Sequence, residues 1–355
     1  MIVESKILNF ARMRKNVNFI ITLLLLSACE TDFDVVANWE DNTIVYGLLE
    51  ANQDTHYVKI YKAFLGAENA LVMAGESDSI YYNPSDIEVH VNEYLLSGSL
   101  NNTYTLRDTI LGQLVSISNA ATVLNRAYYF VSPLNQSMNG QGELVKRNYT
   151  YELVISKPDT VKARMQLVED EIIDQSDNPL NFMVSNYNPS ADMPNPYRSS
   201  IFNWDDLENG VAYRLDMRFV YDEYENTPGG NFLRKDSIEW RIFEGFEEYE
   251  CTFDGETFFT RLGSLIEENP NFKRYAVDLK IIFTVGGVEL YDYYEYSQPS
   301  FSVLLEKPEY EGNVEGGYGV FSSRIQQEIS RGINQVTEER LVIDPYTADL
   351  NFRFN

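Results

Sequence analysis

From about residue 43 onward, apolar and polar side chains alternate in short runs bounded by Asn, Asp, Gly and Pro. Period two is the spacing of strands that turn one face to a core. In the first half the runs are Thr43 to Leu49, His56 to Phe64, Ile87 to Tyr94, Thr103 to Leu106, Ala127 to Val131, Tyr149 to Ile155 and Val161 to Val168. The Tyr149 run is the cleanest, with Tyr149, Tyr151, Leu153 and Ile155 on one face. Strands this short and this closely spaced predict a Greek-key sandwich. In the second half, strands are predicted over Ser200 to Trp204, Tyr213 to Tyr221, Ser237 to Phe243 and Arg274 to Val285, the last closed by Gly286-Gly287. Helical spacing predicts one helix, Gly255 to Asn269, with Phe258, Phe259, Leu262, Leu265 and Ile266 as its apolar stripe and Asn269-Pro270 as its stop. Gly316, Gly317 and Gly319 punctuate a short strand, and Ala348 to Asn355 reads as a final strand alternating Leu350, Phe352 and Phe354. The expected fold is therefore mostly β: two β-sandwich-like domains with one short helix in the second.

The amino-terminal segment follows another pattern. Arg12, Arg14 and Lys15 precede an apolar run from Val17 to Leu26, which is too short to span a bilayer and has the layout of a secretory signal. It ends in Leu26-Ser27-Ala28-Cys29, which resembles the lipobox of bacterial lipoproteins. That resemblance implies signal-peptidase recognition of Leu26, Ser27 and Ala28, cleavage before Cys29, and diacylglycerol and palmitate-type chains on the cysteine. Several acyl chains anchor stably without a transmembrane helix. Glu30, Asp32 and Asp34 follow. They resemble the signal that exports Bacteroidota-type lipoproteins to the outer face of the outer membrane, although a solvated tether would look much the same.

These boundaries divide the chain into a signal peptide (1–28), an acidic tether (29–40), a first β-sandwich (41–168), a polar connecting segment rich in Asn-Pro (169–199), a second β-rich domain (200–310) and a terminal segment completing the second domain (311–355). The 24 residues of "IFNWDDLENGVAYRLDMRFVYDEY", 201 to 224, resemble the middle strands of immunoglobulin- and fibronectin III-like domains. The resemblance implies that Trp204 and Tyr213 are core residues.

Charge narrows the partners. The net charge is -26, and no basic stripe follows residue 28. Nucleic acid is excluded, because phosphate backbones need clustered Lys and Arg. Two cysteines and two histidines exclude a disulfide framework and a Cys/His zinc site, so no cofactor and no metal are expected. Acidic neighbours mark Cys251 as a buried, unreactive thiol. His56 and His90 read as half-exposed strand residues.

Candidate chemistry is sparse. Asp205 with Glu208, and Glu247 with Glu248, are carboxylate pairs of the kind a glycosidase needs, yet both lie in charge runs that are usually solvated. Asp205, Asp206, Glu208 and Asn209 could offer oxygens to calcium but lack the spacing of a calcium loop; a turn explains them equally well. The 25 Tyr and 20 Phe exceed what two sandwiches need inside. Their densest group is Tyr291, Tyr293, Tyr294 and Tyr296, which suits a binding surface, for protein ahead of sugar. The plain alternative is an element edge packing its rings on the core.

The lipobox, "TIVYGLLEANQDTHYVKIYKAFLG" at 43 to 66 and "NVEGGYGVFSSR" at 313 to 324 together resemble Bacteroidota outer-membrane lipoproteins of the DUF4249 type, over most of the mature chain. The resemblance transfers a fold and a location but no catalytic residue. It implies a non-enzymatic, lipid-anchored surface protein acting beside an outer-membrane protein partner such as a TonB-dependent transporter. A carbohydrate-binding or glycan-processing surface lipoprotein is the alternative.

Overall fold

A computed structural model describes residues 42–63, 77–112, 115–118, 121–131, 149–168, 172, 174–176, 181–186, 195–297 and 312–354. Leu26 to Asp34, with Cys29, lie outside them, as does much of the connecting segment. The strands of the first half are β1 (Thr43–Leu49), β2 (Thr55–Lys62), β3 (Glu88–Tyr94), β4 (Leu100–Thr105), β5 (Arg107–Ile110), β6 (Val115–Ser118), β7 (Ala121–Val123), β8 (Arg126–Val131), β9 (Thr150–Ser156) and β10 (Val161–Gln166). Later come β11 (Asn181–Phe182), β12 (Ser200–Asn203), β13 (Ala212–Glu225), β14 (Phe232–Phe246), β15 (Glu250–Phe253), β16 (Phe272–Gly286), β17 (Val314–Glu315) and β18 (Gly317–Ile333). Among the described residues four helices join them: α1 (Ser77–Ile80), α2 (Gly255–Leu265), α3 (Val288–Ser297) and α4 (Gln335–Ile343).

The fold is mostly β, as the alternation predicts. Strands β14-β13-β16-β18-β1-β2-β8-β5 form one hydrogen-bonded path, and β17-β10-β9-β3-β4 form a second sheet. A first core holds Val45, Leu49, Val58, Ile60 and Phe130 of the large sheet together with Val89, Val91, Leu153, Ile155, Val161 and Met165 of the smaller one. This is the expected sandwich. A second core holds Leu215, Met217, Phe219, Ile281, Phe283 and Ile325 of the large sheet, with Phe202 and Phe253 of the β12–β15 ribbon and Phe258, Phe259 and Leu262 of α2. Full burial of each such side chain contributes on the order of 1.5–3 kcal/mol. Trp204 and Tyr213 are core residues, their rings 6.0 Å apart.

The terminal segment does more than complete the second half. The first part of β18 pairs in parallel with β1, from Thr43↔Gly317 to Leu49↔Ser323. Its second part pairs with β16, from Gly286↔Arg324 to Leu279↔Arg331. One strand therefore belongs to both cores.

Four local expectations are corrected. Residues 348–354 do not form a strand: Ala348–Leu350 is a 3-10 turn, Asn351 is left-handed at φ 58°, and Phe352 makes a single bridge to Arg274. The Arg274 guanidinium takes the Leu350 carbonyl at 2.8 Å and the Glu267 carbonyl at 3.0 Å, which fixes that irregular path. The predicted helix ends at Leu265, four residues early, because Ile266 is already extended at ψ 125°. This leaves Leu265 exposed and Ile266 buried. Asp254 caps the helix by accepting from the Thr257 N–H at 2.9 Å. α3 and α4 extend the helix content beyond the single one expected. His56 is buried at 3% exposure against Phe130, because its strand position faces the first core; His90 is half-exposed as expected.

Candidate functional site

The large sheet turns its second face away from both cores, and α3 lies across it. The turn from β16 into the helix uses Gly286-Gly287. Gly287 N–H donates to the Ser323 carbonyl at 2.9 Å, and the Tyr291 N–H donates to the Gly287 carbonyl at 3.1 Å. A Cβ on Gly286 would stand 2.9 Å from Leu290 Cδ2, so the glycine lets the helix approach the sheet.

Helical period splits the tyrosines between two faces. Leu290, Tyr291, Tyr294 and Glu295 share one face and line a groove of about 400 Å³ against β13 and β14. Glu289 and Tyr293 belong to the other. Glu289 accepts from Ser322 Oγ at 2.8 Å, and burial pushes its carboxyl up. Tyr293 meets Tyr46 edge-on at 5.9 Å, and Tyr46, Tyr61 and Tyr81 continue as a ladder at 6.2 and 5.3 Å. Burial first, then neighbouring tyrosines, pushes the Tyr46 and Tyr61 phenols up to about 12. Tyr296 is exposed and lies outside the groove lining.

The groove floor follows from strand register. One row across the sheet is Phe246, Ala212 and Gly286. The next is Glu244, Arg214 and Thr284. Behind it, Asp216 faces Arg241. The small residues Ala212 and Gly286 make the hollow, and Tyr291 stacks on Phe246 at 4.2 Å to close one end.

A β-bulge between Leu215 and Asp216 skips Ile242. In a regular strand residues 241 and 244 would face opposite ways; the extra residue brings Arg241 and Glu244 to the same face. Arg214 Nε then donates to Asp216 Oδ2 at 2.6 Å, and Arg241 pairs with Glu244. The Tyr291 phenol is raised by burial first and then by the Glu295 and Asp292 carboxylates, so its hydroxyl keeps its proton at neutral pH.

Of the tyrosines singled out by sequence, the groove thus unites Tyr291 and Tyr294 and leaves out Tyr293 and Tyr296. Phe246, Arg214, Arg241, Glu244 and Thr284 were not legible as site residues, since only register and the bulge gather them. The other candidates are dispersed. Glu247 and Glu248 are exposed. Asp205 accepts from Gln175, and the Asp205 to Asn209 stretch is a turn. There Asn209 is left-handed at φ 62° and donates to the Leu167 carbonyl at 3.0 Å, while Leu207 N–H donates to the Tyr213 hydroxyl at 3.1 Å. Among the described residues no three His, Cys, Asp or Glu side chains converge as a metal site would require. Cys251 is buried, and its thiol is pushed up to about 11 by burial first and then by Glu248 and Glu250.

No family model and no curated protein matches the chain. Among solved structures it is similar to a DUF4785 family protein from Legionella pneumophila subsp. pneumophila str. Philadelphia 1, at 12% identity, over 68% of this chain and 52% of that one, with a TM-score of 0.17. The chain spans about half the length of that structure. So weak a likeness leaves the groove to be read from its own residues. No helix of the described residues is long and apolar enough to cross a membrane.

Proposed function

We propose that the protein is a non-enzymatic binding protein, lipid-anchored through Cys29 at the outer membrane and exposed on the cell surface. There it serves an outer-membrane assembly of the TonB-dependent transporter kind. The anchor rests on Leu26-Ser27-Ala28-Cys29, and the surface location on Glu30, Asp32 and Asp34 behind it. The observation that carries a binding role is the aromatic groove beneath α3. Tyr291, Tyr294 and Phe246 offer ring surface there, while the lining arginines Arg214 and Arg241 are each held by a carboxylate, Asp216 and Glu244. Side chains tied to one another in this way orient a ligand; they are not laid out as a free acid facing a free base across a scissile bond.

Affinity capture from detergent-solubilised outer membranes tests the accessory role. The expected result is reproducible recovery of one outer-membrane transport protein with the wild-type chain. Recovery of nothing beyond the bait, in repeated preparations, would overturn it. The glycan alternative draws on the same groove.

A further inference from the structure

The groove is lined by two guanidinium groups, Arg214 and Arg241, and two carboxylates, Glu244 and Glu295; Arg214 pairs with the buried Asp216 behind the lining, and Arg241 with Glu244 and, at 3.9 Å, with Asp216. The floor is therefore neutral inside a chain of net charge -26. An anionic ligand would compete with Asp216 and Glu244 for these guanidinium groups, exchanging one carboxylate partner for another. Hydroxyl groups need no such exchange, because they donate and accept together and meet donors and acceptors already fixed in direction by the pairing. Thr284 adds a hydroxyl in the same row, itself accepting from Gln326 Nε2 at 3.2 Å. Beside this polar floor stands Tyr294, 43% exposed, with Leu290 and the stacked Tyr291–Phe246 pair beyond it. Apolar ring faces next to fixed polar groups match a pyranose, which has apolar C–H faces and a polar rim.

We infer that the groove beneath α3 binds an uncharged sugar residue of a glycan, with Tyr294 as its stacking face and Arg214, Glu244 and Thr284 holding its hydroxyls. The inference rests on the groove being the protein's recognition site. Size agrees with it: about 400 Å³ lies in the range of small-ligand sites. Acidic sugars are disfavoured by Glu295 on the groove wall and by the acidity of the whole body.

The test uses the full chain in detergent on an array of neutral hexose oligosaccharides and their uronic-acid counterparts, followed by calorimetry with the best binder. Binding is expected for neutral members, and about tenfold weaker or worse for their uronate matches. Tyr294→Ala should lower affinity about tenfold without changing thermal unfolding, since the ring is half-exposed and removes no core contact. Thr284→Val, nearly isosteric, should weaken binding by a smaller factor. Absence of binding to both classes, uronates binding as well as neutral sugars, or a Tyr294→Ala chain that binds like wild type would each overturn the inference. Partner capture is scored separately on the same preparations. Lost sugar binding with partner capture intact removes only the ligand class. Sugar binding with no partner removes only the accessory role.

Discussion

Three buried side chains show how much of the fold depends on single residues. Burial pushes the His56 imidazole down to about 4 from 6.5, against a smaller opposing pull from Asp54. Between those values the unfolded chain binds the proton and the folded one does not. Stability from this residue is therefore complete above about pH 6.5 and is lost as pH falls toward about 4, up to about 3 kcal/mol across the window. Urea unfolding of wild type and His56→Leu at about pH 7.5 and about pH 5 should show a shallower pH dependence in the variant; equal slopes would refute the assignment. Arg274 and Glu223 form an ion pair at 2.9 Å with both side chains nearly inaccessible. Glu223→Gln should cost on the order of 3–5 kcal/mol, because it strands the guanidinium in the core. It should also expose the chain after Leu350 to protease, since Arg274 holds that carbonyl. Denaturant titration and limited proteolysis read both effects. None of the three was legible in the sequence: alternation marks which way a strand position points, and a polar side chain at an inward position looks like an error in the pattern.

Elements whose inward face is wholly apolar were legible nearly to the residue. β9 buries Tyr151, Leu153 and Ile155, and β10 buries Val161, Ala163 and Met165. β18 shows why others were not. Its inward positions include Gln327 and Arg331. Gln327 accepts the Ile172 N–H at 2.8 Å and donates to the Ile172 carbonyl at 3.1 Å. Arg331 pairs with Asp174 and lies 4.5 Å from the centre of the Phe202 ring. These polar side chains hold the connecting segment to the sheet, so a 17-residue strand read as a short one. The glycines at its start were visible as punctuation, but their purpose was not. At Gly319, φ is +101° and a Cβ would stand 2.0 Å from the Val45 carbonyl oxygen. Gly319→Ala should therefore disrupt the β1–β18 pairing at a cost of at least about 1–3 kcal/mol. Amide exchange across Thr43–Leu49 should lose protection; unchanged exchange would contradict the role. α3 was hidden for a related reason. Its tyrosines serve two faces, and a helix with rings on both sides gives no single stripe.

At the scale of the whole described body, one sheet runs under both cores and leaves its outer face to α3, the tyrosine ladder and the groove. Sequence pattern reached the β architecture because burial imposes period two on every strand, wherever it sits. It could not reach the groove, which exists only where Glu244, Arg214 and Thr284 align across three strands and a bulge turns Arg241 onto the same face. The proposed role adds the tether at Cys29, from which this face would meet its ligand and its partner. Fractionation of intact cells carrying wild type or Cys29→Ser, with labelling by a membrane-impermeant amine reagent, tests that role most directly. Wild type should stay in the outer-membrane fraction and take the label, while Cys29→Ser should leave the membrane as a folded protein. Equal membrane retention of the two chains, or a wild-type chain shielded from the reagent, would contradict a lipid-anchored surface protein.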